Sequence, residues 1–212
     1  MNYYGIADIL YFVSEYLFLI VGLLAILKQV RTKKALVISI YLIVMAMLLL
    51  TSTILAQKNI NNLLVYNIMG VFELVCVYFL YQKEAISKYW RYVIPVLVLA
   101  NIYSTFFVFT PWSLNSYGMA LSQLAVILMG CNYSFRLITE LKVKKLSKHP
   151  FYFIHLGFII YASGCLFINL MSEKIVSEET NDFFHNAWIL ECIFNIIRLS
   201  FISYGLILLR RE

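Results

Sequence analysis

Charge is what this chain has least of. Only 13% of its 212 residues are Asp, Glu, Lys or Arg, against about 25% in a soluble domain. Three prolines and eight glycines exclude collagen-like chains and Pro/Gly-rich linkers. Three histidines, with no HxxxH spacing, cannot build stacked di-haem pairs or a converging zinc site. The four cysteines (Cys76, Cys131, Cys165 and Cys192) form no CxxC and fall inside apolar runs. They read as small apolar residues, with no disulfide or metal role. No GxSxG, HExxH or P-loop motif occurs. The last apolar run contains no lysine, which excludes a retinal Schiff base. The sequence implies no cofactor and no metal, and the case for an enzyme is weak.

What the chain does have is apolar mass: 62% hydrophobic residues and a mean hydropathy of +0.83. Neither a soluble core nor a disordered chain accommodates that composition. Seven runs have the length that crosses a hydrocarbon layer, about 17–25 residues. They are Ile6–Leu27, Ala35–Leu55, Leu63–Leu80, Val93–Phe109, Tyr117–Leu137, Phe151–Met171 and Ala187–Leu209. The runs are continuous and lack hairpin signals, so barrel strands are excluded. In lipid each backbone group must find its partner within its own segment, which leaves helices. The expected fold is all-α, one seven-helix transmembrane bundle over residues 1–212, with no soluble domain.

Basic residues set the expected orientation. Lys28, Arg31, Lys33, Lys34, Lys83, Lys88, Arg91, Arg136, Lys142, Lys144, Lys145, Lys148, Arg210 and Arg211 all fall on one side. The other side has Lys58 and Lys174, and before the last helix the acidic Glu173, Glu178, Glu179 and Asp182. Cytoplasmic loops collect Lys and Arg, so the N-terminus is expected outside and the C-terminus inside. The net charge of +6 then reflects topology and contact with anionic lipid, and gives no argument for nucleic acid. The N-terminus lacks a basic n-region and a small-residue cleavage site, so the first helix is expected to remain as a span.

Polar residues inside the spans mark the candidate site, because charge at membrane depth is costly. Glu15 and Glu73 fall near the middle of helices 1 and 3, and Arg198 near the middle of helix 7. Glu191, Asn195 and Arg198 are spaced four and three apart, on one helical face. Asn67, Gly70 and Glu73 repeat the pattern on helix 3, Asp8, Tyr11 and Glu15 on helix 1, and helix 5 adds Gln123 and Asn132. Such stripes predict a shared polar interior. Two readings stay open: a structural network in which Arg198 neutralises Glu73 or Glu15, or a site for a polar ligand, ion or proton. His155 reads as a hydrogen-bonded residue near a helix end, and a 3+1+3 helix duplication is one possible layout.

The run Asn67–Tyr81 (NIMGVFELVCVYFLY), the segment Ile159–Gly164 (IIYASG) and the last-helix residues His185, Asn186, Asn195, Ile196 and Ile197 carry a resemblance. They resemble uncharacterised seven-helix inner-membrane proteins of Bacteroidetes-type bacteria, although Arg198 departs from the milder residue expected there. The resemblance implies a bacterial inner-membrane location and no established activity. The expected function is a sensor or receptor-like module that binds a small ligand, lipid or ion between helices. It would signal through a cytoplasmic protein at the basic loops. A small transporter with a pathway at Glu15, Glu73 and Arg198, or a membrane scaffold, are the alternatives.

Overall fold

The computed structural model describes residues 3–27, 33–81, 89–110, 112–139, 146–177 and 182–209, with the side chains of 3–8, 27, 33, 147, 173–177 and 182–186 outside that description. Among the described residues seven α-helices form: α1 (Tyr3–Leu27), α2 (Lys33–Gln57), α3 (Leu63–Tyr81), α4 (Trp90–Tyr103), α5 (Ser116–Thr139), α6 (Pro150–Ser177) and α7 (Asp182–Leu209). All seven are long and apolar enough to cross a membrane, α4 by continuing through a π-helical turn at Ser104–Val108. Among the described residues there is no strand. The expected spans match these helices to within a few residues, α6 and α7 being the longest beyond their apolar runs.

The α2–α3 turn shows how local sequence closes one end of the bundle. Asn59 adopts a left-handed conformation (φ 54°), which asparagine tolerates better than most residues. Ile60 N–H then reaches back to the Leu55 carbonyl at 2.9 Å, ending α2. Asn61 Oδ1 accepts from the Leu63 N–H at 2.9 Å and starts α3, while Asn62 Nδ2 donates to Ser52 Oγ at 2.8 Å.

Six helices pack as a ring in the order α1, α2, α3, α5, α6, α7, and α7 closes back on α1. α4 stands outside, against α3 and α5. Only 17% of its span is buried, against 33–50% for the others, so most of its surface is left for lipid. The helix pair with the most extensive contact, α6 and α7, depends on glycine. A Cβ on Gly157 would lie 2.9 Å from the Arg198 carbonyl oxygen, and one on Gly164 would lie 2.5 Å from the Phe194 ring. Small residues let membrane helices approach this way, where no hydrophobic effect drives association. Here they bring the α7 backbone against α6 at the level of Arg198.

Candidate functional site

Arg198 projects from the middle of α7 and is 1% exposed. Its guanidinium keeps its charge in proteins, and a lone charge at mid-bilayer costs from about 2.5 to more than 10 kcal/mol. Glu73 of α3 meets it: Arg198 Nη1 donates to Glu73 Oε1 at 3.0 Å. Nε donates to Asn195 Oδ1 at 3.1 Å, and Nη2 donates to the same oxygen. Asn195 Nδ2 in turn donates to Ser14 Oγ of α1 at 2.6 Å. The guanidinium carbon lies 3.5 Å from the centroid of the Tyr161 ring of α6, a cation–π contact. Four helices therefore converge on one cation.

The two remaining carboxylates are held by hydroxyl groups. Glu191 accepts from the Tyr161 hydroxyl at 3.3 Å. Glu15 accepts from Thr53 of α2 at 2.6 Å, and the Thr53 hydroxyl is 3.3 Å from that of Tyr11. Among the described residues neither has a cation at ion-pair distance, so Glu73 alone of the three neutralises Arg198.

Between these groups lies a cavity of about 50 Å³, bounded by Ser14, Glu15, Tyr66, Trp188, Glu191, Asn195 and Arg198 among others. A second cavity of about 20 Å³ shares the wall formed by Tyr66, Trp188 and Glu191 and reaches Leu114 and Ser172, toward the end where α3 and α7 begin. In the other direction the interior is mainly apolar, with Ser39, Tyr81, Tyr133 and His155 buried among its side chains. Ile38, Leu42, Leu74, Val77, Leu80, Ile154, Phe158, Leu199 and Ile202 fill the interior there, each 0% exposed. These two polar-lined cavities lie on one side of the bundle.

Family models, curated proteins and solved structures yield no match to this chain. The functional reading rests on geometry.

Of the residues singled out in the sequence, Glu15, Glu191, Asn195 and Arg198 line the larger cavity, and Glu73 lies behind Arg198 as its ion partner. Asn67 goes elsewhere. Its Nδ2 donates to the Ser113 carbonyl and its Oδ1 accepts from the Asn115 N–H, both at 2.9 Å, which fixes the α4–α5 turn. Gln123 is buried on α5 and Asn132 half-buried on the same helix, and neither bounds the cavity. The side chains of Asp8 and His185 and the acidic cluster Glu173, Glu178, Glu179 and Asp182 lie outside the described residues.

Two expectations change. His155 is fully buried rather than hydrogen-bonded at a helix end: its ring stacks 4.2 Å from Tyr81 and lies tilted 4.0 Å from Tyr133, and among the described residues neither nitrogen has a hydrogen-bond partner. Cys131 faces outward, whereas the other three cysteines are buried.

The structure also brings in residues that sequence spacing did not flag. Ser14, Thr53, Tyr66, Tyr161 and Trp188 complete the site. Their types are common throughout the spans, so nothing in the sequence separated them from lipid-facing neighbours. Asn101 and Asn115 form a second buried cluster at the α4–α5 turn. Asn101 Nδ2 donates to the Gly118 carbonyl at 2.8 Å and to Ser122 Oγ at 2.9 Å, and Asn115 Nδ2 donates to Thr105 Oγ1 at 2.9 Å.

Proposed function

We propose that this chain is a membrane receptor-like module that binds a small polar ligand in the cavity beside Arg198 and signals through a partner protein. The observation that supports it best is the one-sided position of the polar-lined cavities. Polar cavities occupy the half of the bundle where α3 and α7 begin, and among the described residues the other half is packed mainly with apolar side chains around the His155, Tyr81 and Tyr133 rings. A conduit needs polar lining on both sides of its site; a receptor needs only a pocket.

The network offers a means of coupling. A ligand in the cavity touches α1 through Glu15, α3 through Tyr66 and α7 through Trp188 and Glu191. The Asn195–Ser14 bond ties α7 to α1, and the Arg198–Glu73 pair ties α7 to α3. A ligand that favours one packing of α1 and α7 over another shifts the population between them. In this reading the basic side, at Lys28–Lys34 and Lys142–Lys148, is cytoplasmic and delivers the change to a partner, with the cavity toward the outside. A bacterial inner membrane is the setting proposed from the sequence resemblance.

The experiment combines binding with flux. Purified protein in nanodiscs is screened against small polar compounds through the fluorescence of Trp188, and each binder is then tested for uptake into proteoliposomes. Binding without protein-dependent uptake is the expected result. Uptake of the same compound through the reconstituted protein would overturn the receptor reading in favour of a transporter.

A further inference from the structure

We infer that the ligand of this cavity is a small organic cation of the primary-ammonium class, held against Glu15 and Glu191. This rests on the receptor reading above and adds the chemistry of its ligand.

The first ground is the charge count around the cavity. Glu15, Glu191 and Arg198 line the cavity and Glu73 lies behind Arg198, so three carboxylates accompany a single guanidinium. Glu73 and Asn195 already occupy that guanidinium, and Tyr161 covers its face. Glu15 and Glu191 both line the cavity, and among the described residues neither has a cation at ion-pair distance. Glu15 is 6% exposed, so water compensates it little. A buried carboxylate without a counter-charge is expensive; a cationic ligand removes that cost at both residues together. An anion entering the same space meets two carboxylates first.

The second ground is the wall. Tyr11, Phe18, Tyr66, Tyr161 and Trp188 all border the cavity. Aromatic faces attract ammonium groups, most strongly where water is excluded. They are poor surroundings for a divalent metal, which takes six or more oxygen ligands as calcium or keeps several waters as magnesium. Consistently, no group of three or more His, Cys, Asp or Glu able to hold a metal occurs among the described residues. Tyr66 and Trp188 stand with ring centroids 6.0 Å apart and form the partition between the two cavities.

The third ground is size. The cavity beside Arg198 has about 50 Å³, where about 10–15 Å³ is enough to hold one water. Only a few heavy atoms fit. Methylammonium is the natural probe, and tetramethylammonium is too bulky without rearrangement.

The test uses the full-length protein in nanodiscs with Trp90→Phe and Trp112→Phe, so that Trp188 is the sole indole. Methylammonium chloride is titrated at constant ionic strength against sodium chloride, with sodium acetate and tetramethylammonium chloride as comparison ligands. The expected result is saturable quenching by methylammonium, with weak responses to the others. Glu15→Gln and Glu191→Gln keep side-chain shape and an acceptor for Thr53 and Tyr161, and each should weaken binding at least about tenfold, or about 1.4 kcal/mol. Thermal unfolding of each variant confirms that it is folded.

Absence of saturation by methylammonium overturns the proposal, as does binding that neither Glu→Gln change weakens. Two results separate it from the reading on which it rests. If methylammonium fails but acetate or a neutral compound binds without flux, the cation assignment falls and the receptor stands. If methylammonium binds and also enters proteoliposomes through the protein, the receptor reading falls and the cation site stands.

Discussion

Replacing Arg198 tests the centre of the structure. Arg198→Ala removes a guanidinium that is 1% exposed, its bond to Glu73 at 3.0 Å, its bonds to Asn195 and its contact with the Tyr161 ring. The Glu73 carboxylate is left buried without a counter-charge. Breaking a buried pair from one side costs about 3–5 kcal/mol, because the remaining charge is stranded. For a chain of this length each kcal/mol lowers Tm by about 2–4 °C, so a loss of about 6–20 °C is expected. Glu73→Gln in the same background removes the stranded charge while keeping its shape. Arg198→Ala with Glu73→Gln should therefore recover part of the loss. The interaction energy should fall in the upper part of the range for contacting residues, about 0.5–3 kcal/mol. Glu15 provides the comparison: its carboxylate is bonded to Thr53 at 2.6 Å, not to Arg198. The Arg198→Ala, Glu15→Gln pair should couple distinctly less. The assay is thermal unfolding of detergent-purified protein, read by circular dichroism and by loss of the monodisperse peak. Simple additivity of Arg198→Ala and Glu73→Gln would refute the ion-pair argument.

Glycine substitutions should separate close approach from open space. Gly118→Ala would put a Cβ 2.0 Å from Asn101 Oδ1, whereas at Gly70 the nearest atom is Met119 Cγ at 3.5 Å. Gly118→Ala should destabilise by about 1–3 kcal/mol, while Gly70→Ala should be neutral or stabilising by up to about 1 kcal/mol; unfolding in detergent compares the two. Asn67→Ala leaves the Asn115 N–H and the Ser113 carbonyl without their partner. It should cost about 1–3 kcal/mol and speed proteolysis at the α4–α5 turn without weakening ligand binding. Reporter fusions after Lys34 and after Glu212 should both report cytoplasm; a periplasmic signal from either would overturn the proposed orientation.

The seven spans were legible because a membrane helix is decided locally. Its length is set by bilayer thickness and its backbone bonds close within the segment. That holds even for α4, where Pro95 sits inside the helix and Ser104–Val108 widens to a π turn. The polar stripe Glu191, Asn195, Arg198 was legible for the same reason, since helical periodicity alone places those residues on one face.

Partner choice was not legible. Glu15 and Glu73 fall at similar depth, and depth says nothing of the azimuth each helix presents to its neighbours. Ring order and the glycine-permitted approach of α6 to α7 turn Arg198 toward Glu73 and give Glu15 to Thr53. Asn67 shares a helix face with Glu73, yet the α4–α5 turn takes both ends of its amide. His155 ends between Tyr81 and Tyr133 because three helices converge there, which no local signal near residue 155 encodes. The sequence by itself determined how many helices are long and apolar enough to cross a membrane and where along each helix its charges fall, because lipid thickness and backbone hydrogen bonding act on each segment alone. Only tertiary structure decided which charges meet, that α4 stands outside the ring, and that two carboxylates share a cavity with no cation at ion-pair distance among the described residues, because those depend on how helices far apart in sequence are rotated against one another.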